Sequence, residues 1–421
     1  MRSCYTAFVI TLLFSVVSHG QTPLSKCPKH YMQVFSYSPD KFAKIATNPD
    51  LDGILVILPW IDVESQRDSF NFDHVDSILD AGFSYHKKVI FQFQIKSFQG
   101  APPVVPAYLL TDPTYLGGVA YAPDSSSMAK LWIPAVTNRL DTVLQALGNH
   151  IGQNPALEGF NFNETAAYGW WLPEYDVHDY MDGIKASISH ARSAFSDSVF
   201  IVQYLNWLPG SGPLDSLINN LREIADYTTT FPNTGFGGPD NKIQHNPPFT
   251  KVMPFQHEYD QSAVLMNATQ WADYGYINPN TGDPVTAAEI LEFSVDSLKD
   301  DYVVWLEREP FFTQDVLPTL AAYHGLCPDS MQTATNVSVS TNGAIYPNPF
   351  SGRLNIEITT SGPVYFELYD FVGRKQISST IQHAQLLKTG HLPPGLYMAT
   401  LKDRKGHLLF QKLLIKQVLG F

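Results

Sequence analysis

Between residues 28 and 327 the chain repeats a two-part unit, a short apolar run that reads as a strand followed by a longer amphipathic run that reads as a helix. This alternation marks parallel βα units, because parallel strands need a crossover of helix length that packs back onto the sheet. The pattern predicts strands near Tyr31–Tyr37, Gly53–Pro59, Lys88–Ile95, Leu157–Asn163, Val199–Leu205, Thr229–Phe236, Val252–His257 and Tyr302–Leu306. Helices are expected over Phe72–Ala81, Met128–Ile151, Val177–Ala194, Leu214–Ala225, Ala287–Leu298 and Gln314–Tyr323, with a weaker one over Asp40–Ala46. Eight such strands in roughly 300 residues fit an α/β fold of the (β/α)8, TIM-type, barrel class. The sixth strand is the weakest element, since only a Pro-rich loop separates it from the seventh.

The flanks of this body read differently. Arg2, the apolar run Ala7 to Val17 and the small residues Ser18-His19-Gly20 have the order of a signal peptide, so residues 1–20 are expected to be removed and the barrel domain to span 21–328. No later stretch approaches the ~18 apolar residues of a membrane span. With Cys4 lost in the leader, Cys27 and Cys327 remain. In an oxidising compartment two thiols favour one disulfide over a metal site, and a pair of unlinked buried thiols is the alternative. In a closed barrel both cysteines fall on the bottom face, where a bond would tie the ends of the domain together.

Residues 329–343 are rich in Ser, Thr, Asn and Gln and read as a linker. Beyond it, residues 344–421 hold short alternating strands, Leu354–Ile358, Val364–Tyr369, Leu396–Leu401 and Leu409–Ile415, separated by Gly and Pro turns. That is the texture of a small all-β sandwich. Four of its segments occur in order: Tyr346-Pro347-Asn348-Pro349-Phe350, Leu368-Tyr369-Asp370 to Gly373-Arg374, Pro394-Gly395-Leu396-Tyr397 and Lys412-Leu413-Leu414-Ile415-Lys416. Together they resemble the C-terminal sorting domain of type IX secretion. The resemblance implies that the tail is read by the type IX export machinery and usually removed, and that the product passes the periplasm to become secreted or held at the cell surface. An ordinary accessory sandwich is the alternative.

In such barrels the reacting groups lie at the C-terminal ends of strands. Two carboxylates meet that condition on the predicted layout, Glu164 after the fourth strand and Glu258 after the seventh. Glycoside cleavage needs a pair of this kind, one protonated to assist the leaving group and one ionised to attack or to activate water. A lone Glu in a loop is most often a solvated surface group, so the weight rests on the two strand ends together. Glu307 and Glu309, after the eighth strand, are the rivals for the second position.

The run Pro155 to Glu164, ending in Asn163-Glu164, resembles the fourth strand of the large clan of retaining (β/α)8-barrel glycoside hydrolases. Trp60-Ile61-Asp62-Val63-Glu64 followed by Phe70-Asn71-Phe72-Asp73 resembles the segment after its second strand. The resemblance implies Glu164 as acid/base, Asn163 as a sugar-hydroxyl ligand and Glu258 as nucleophile, acting on an extracellular poly- or oligosaccharide without a cofactor. Trp60, Trp170, Trp171, Tyr204 and Trp305 are expected to stack on sugar faces, although each alone is more often core packing. Gln92, Gln94, Asn161, Asn206, Gln256 and Asp240 are candidates for holding hydroxyls. The long third loop, Gln99 to Ser127, is expected to form one wall of the cleft.

Other classes find less support. His257-Glu258 lacks the second His of a His-Glu-x-x-His zinc site, so no catalytic metal is expected. The net charge of -13, with a basic tail and an acidic body, disfavours nucleic acid and anionic membranes as partners. A non-catalytic glycan-binding barrel is the alternative reading. A polysaccharide lyase would want a basic patch, and an esterase a Gly-x-Ser-x-Gly motif; neither is evident.

Overall fold

The computed structural model describes residues 26–98, 101–243, 253–278 and 281–324, and in the C-terminal region 343–346, 350, 352–358, 362, 364–370, 374–382, 384–404 and 408–416. The expected leader lies outside the described residues, as do residues 329–342 of the expected linker. The chain divides after Cys327 into two compact units.

The first unit is a closed barrel of eight parallel strands. They are Lys29–Val34, Gly53–Pro59, Lys88–Gln94, Leu157–Phe162, Phe200–Tyr204, Thr234–Gly237, Val264–Ala268 and Tyr302–Leu306. Each pairs with its successor in sequence, and the first closes onto the eighth from Lys29 opposite Tyr302 to Gln33 opposite Leu306. Strand residues alternate between two cores, because successive side chains leave opposite faces of a strand. Tyr31, Leu55, Ile90, Phe200, Val202, Met266 and Val304 fill the lumen. Met32, Ile54, Val56, Val89, Phe91, Phe160, Ile201 and Val303 pack outward with the helices. The principal helices are Pro39–Ala46, Asp73–Ser84, Pro134–Ile151, Val177–Ala194, Leu214–Thr228, Ala287–Glu292 and Leu317–His324.

The seventh strand departs from the expectation. Met253–Gln256 is a helical turn and His257–Tyr259 a 3-10 turn, and the strand that closes this part of the barrel is Val264–Ala268. Pro254 explains the difference. Its missing N–H and fixed φ suit the first turn of a helix and exclude it from the interior of a sheet bonded on both edges. The true strand, Val264-Leu265-Met266-Asn267-Ala268, is short and mostly unbranched, so it carries a weak β signal.

The sixth strand, expected over Thr229–Phe236, is confined to Thr234–Gly237. Thr229 instead caps the preceding helix. The strand lies so close to its neighbour that a Cβ on Gly237 would stand 1.6 Å from the Met266 carbonyl oxygen. Only glycine admits this approach.

The C-terminal unit consists of two antiparallel sheets. One has the order Gly343–Tyr346, Arg353–Ile358, Ala384–Lys388, and the other Lys375–Ile381, Val364–Asp370, Gly395–Lys402, Leu408–Lys416. Ile345, Leu354, Ile356, Phe366, Leu368, Leu401 and Leu414 form its core. Lys375–Ile381 escapes the periodicity test because its sequence, Lys-Gln-Ile-Ser-Ser-Thr-Ile, lacks a sustained apolar alternation.

Cys27 lies just before the first barrel strand and is not a free thiol. Cys327 lies outside the described residues, so its pairing with Cys27 remains a proposal. No helix among the described residues is long and apolar enough to cross a membrane.

Candidate active site

A cavity of about 960 Å³ opens at the C-terminal ends of the barrel strands. Strands one to three supply Gln33, Ile57, Gln92 and Gln94 to its floor, and the loops beyond the strands supply its walls. The third loop contributes Ala101, Val104, Ala122 and Pro123, the last two from the turn joining the short hairpin strands Val119–Tyr121 and Ser127–Ala129.

Glu164 stands in this cavity immediately beyond the fourth strand. Lys96 Nζ donates to Glu164 Oε1 at 2.9 Å and to the Ala166 carbonyl at 2.5 Å. Asn206 donates its side-chain amide to Glu164 Oε2. Both carboxyl oxygens therefore accept from donors, one of them an ammonium. Lys96 is only 1% exposed. Burial lowers its pKa, and the charge and hydrogen bond of Glu164 offset only part of that lowering. Charge interaction also extends to the rings of Phe98 and Tyr168, at 4.7 and 5.7 Å from Nζ.

Asp240, beyond the sixth strand, is the other carboxylate among the described lining residues. It is 8% exposed and its pKa is raised to about 7. Burial is the main cause. The charges of Asp273 and Glu164 add to it, while Lys242 pulls the other way. Asp273, which follows the seventh strand, is itself buried and accepts hydrogen bonds from the backbone N–H groups of Asn241 and Gln270.

The rim is aromatic. Trp170 and Trp171 are 46% and 49% exposed and meet edge to face, with ring centroids 5.8 Å apart. Trp207, Trp271, Phe35 and Tyr168 also line the cavity. In its floor, Gln33 Oε1 and Tyr204 OH are buried with no hydrogen-bond partner among the described residues. Both residues line the cavity, and each leaves one buried polar atom without such a partner beside it.

The structure thus brings together Glu164, Asn163, Gln92, Gln94, Trp170, Trp171, Tyr204, Asn206 and Asp240. Asn163 Oδ1 accepts from the Ile95 N–H at 3.2 Å, which ties the end of the fourth strand to the third. Asn161 lies below the cavity, accepting from Gln92 Nε2 at 2.7 Å and donating to the Val202 carbonyl at 3.2 Å.

Four expected site residues lie elsewhere. Trp60 and Trp305 are fully buried in the core shared with the helices, and their indole N–H groups bond to Glu64 and His30. Gln256 is buried and donates to the Leu298 carbonyl and to Asp300 Oδ1. Glu258 does not end the seventh strand. It precedes that strand, at the opposite end of the barrel, where Arg222 of the helix Leu214–Thr228 grips it with two bonds of 2.6 and 3.1 Å. The displaced strand assignment is the physical reason for the error. The rival Glu307 is ion-paired to Lys41 and Lys44, and Glu309 to Lys44. Glu258→Gln is accordingly expected to leave any turnover unchanged and to cost at most about 1 kcal/mol in a urea melt, the ordinary worth of an exposed ion pair.

Sequence reasoning overlooked Lys96, Gln270 and Trp271. Lys96 was within reach, since it continues the two-residue spacing of Gln92 and Gln94 along one strand face. Among the described residues no group of three or more His, Cys, Asp or Glu side chains could hold a metal ion.

Residues 344–416 match the family described as the secretion system C-terminal sorting domain, so the C-terminal unit carries a domain of that kind. None of the curated proteins matches the chain. Among solved structures, the chain is similar to the catalytic domain of beta-amylase from Paenibacillus polymyxa, with 8% identity, a TM-score of 0.47 and coverage of 67% of this chain and 92% of that one. Endo-glycoceramidase II from Rhodococcus sp. gives 10% identity, a TM-score of 0.45 and coverage of 85% and 96%. The endo-beta-1,4-mannanase from Thermotoga petrophila gives 8%, 0.44, and 96% and 99%.

Proposed function

We propose that the chain is an exported glycoside hydrolase that cleaves a neutral poly- or oligosaccharide by a retaining mechanism, with Glu164 as one of its two catalytic carboxyls. The observation that carries this reading is the position of Glu164 in one cavity with the exposed pair Trp170 and Trp171. Flat indole faces pack against sugar C–H surfaces, and a carboxylate at a barrel strand end can act on the linkage held there. The unpartnered Gln33 Oε1 and Tyr204 OH would bind hydroxyls.

The charge of the lining selects the sugar class. Lys96, Glu164 and Asp240 are its charged side chains among the described residues, and Lys96 is already committed to Glu164. Nothing there neutralises a uronate, which disfavours a lyase. The sorting domain supports export by the type IX route to the cell surface or medium, with the tail removed on the way.

One observation favours a second reading, a glycan-binding barrel without catalysis. The seventh strand is followed by Gln270, an amide, where the family resemblance would place a nucleophilic carboxylate. Reducing-end release from a panel of neutral glycans decides between them. Turnover by the wild-type chain supports hydrolysis; binding without turnover selects the second reading. Trp170→Ala and Trp171→Ala are each expected to raise KM about 3- to 10-fold with little change in kcat, since each removes one stacking face worth about 1 kcal/mol. Unchanged KM in both would remove the tryptophans from the binding surface.

A further inference from the structure

The cavity holds a second carboxyl, but at the sixth strand rather than the seventh. We infer that Asp240 is the proton donor to the leaving-group oxygen, and that Lys96 and Asn206 hold Glu164 as the ionised partner that attacks the sugar. This rests on the hydrolase reading and reverses the acid/base role expected for Glu164 from its sequence context.

The contacts of the two groups are opposite in kind. Glu164 has both oxygens occupied by donors, Lys96 and Asn206. Asp240 lines the same cavity, is 8% exposed and accepts no hydrogen bond from the described residues, and the charges of Asp273, Glu164 and Lys242 act on it. Two acids and one lysine around a buried carboxyl favour its protonated form, consistent with ionisation delayed to about pH 7. A carboxyl held in its protonated form, in one cavity with a second carboxyl held by donors, is the arrangement that acid-assisted glycoside cleavage uses.

The proton of Asp240 passes to the glycosidic oxygen as its bond to the anomeric carbon breaks, and the bonding pair leaves with that oxygen. An electron pair of the Glu164 carboxylate forms a new bond to the same carbon, giving a glycosyl ester. Water then adds at that carbon and gives a proton to the Asp240 carboxylate, while the ester bond breaks and returns its pair to Glu164. Lys96 touches no reacting atom and is a positioning residue.

Three variants separate these roles. With natural glycans, Asp240→Asn is expected to lose about 10²–10⁴-fold in kcat/KM. Most of that loss should vanish from kcat/KM on aryl glycosides, whose phenolate leaves without a proton, while kcat stays low because hydrolysis of the glycosyl ester still lacks its base. Glu164→Gln should be inactive on both substrates. The alkaline limb of the wild-type profile should lie near pH 7 and be absent in Asp240→Asn, and Lys96→Gln should lower kcat with KM unchanged. Independently of turnover, the aspartate ¹³Cγ signal missing from Asp240→Asn should titrate near 7 and shift to lower pH in Glu164→Gln.

Full activity of Asp240→Asn, or sparing of aryl glycosides by Glu164→Gln in its place, would overturn the inference and leave the hydrolase reading standing. A ¹³Cγ titration in the ordinary aspartate range would also overturn it. A wild-type chain that turns over neither substrate type sinks both readings together.

Discussion

Glu164→Gln is expected to lower kcat on the cleaved glycan by at least about 10²–10⁴-fold while leaving the fold intact. The substitution keeps the shape of the side chain and removes its charge. Lys96, 1% exposed and bonded to Glu164 Oε1 at 2.9 Å, then loses its counter-ion. The barrel should tolerate this, because a buried lysine without its partner can shed its proton and the Ala166 carbonyl still accepts from it. Glycan binding, measured by calorimetry or by retardation in a polysaccharide gel, should persist through the tryptophan rim. Loss of turnover with retained binding is the signature sought; wild-type turnover in this variant would remove Glu164 from the chemistry altogether.

The second large effect concerns stability. Glu64 is fully buried beyond the second barrel strand, and its carboxyl faces a guanidinium. Arg139, on the helix Pro134–Ile151, pairs with it through Nη2 and through Nε at 3.2 Å, and reaches Asp68 at 2.7 Å. The Asp68 N–H and the Trp60 indole supply further donors at 2.8 and 3.3 Å. Arg139→Met keeps the volume and leaves the carboxylate without its counter-charge. Breaking one side of a buried pair costs about 3–5 kcal/mol, because the remaining charge stays buried and uncompensated.

The double variant Glu64→Gln with Arg139→Met removes both charges and should cost markedly less than the single change. Urea melts of the two variants test this. A loss below about 1 kcal/mol in Arg139→Met would mean that water or a local shift solvates Glu64. The pair ties the segment after the second strand to the helix before the fourth, so it fixes one side of the cavity without touching the cavity itself. Trp60, expected at the sugar, belongs to this structural network instead.

How much of this was legible depends on the range over which each feature is encoded. Val177–Ala194 and Tyr302–Leu306 have the ends expected of them, because a helix cap or an apolar run announces itself within a few residues. Glu164 could be found for the same reason, standing next to the strand that presents it. Glu258 follows a local apolar run, Val252 to His257, that reads as a strand, while Pro254 inside that run argues for a turn. Trp305 shows the limit of composition. An aromatic residue in a barrel strand has two faces to choose from, and only closure of the barrel turned this one outward to the helices.

Local pattern along the chain sets the alternation that makes a barrel, the separate β-rich tail with its sorting motifs, and the glutamate at the end of the fourth strand. Periodicity is a local property and survives without knowledge of neighbours. The tertiary structure decided which charges meet. Lys96 reaches Glu164 across 68 positions of sequence, Glu258 is taken by Arg222 at the far end, and Asp240 comes to feel both Asp273 and Glu164. Interactions between charges depend on distance and on the water excluded around them, and both are fixed only when the eight strands close.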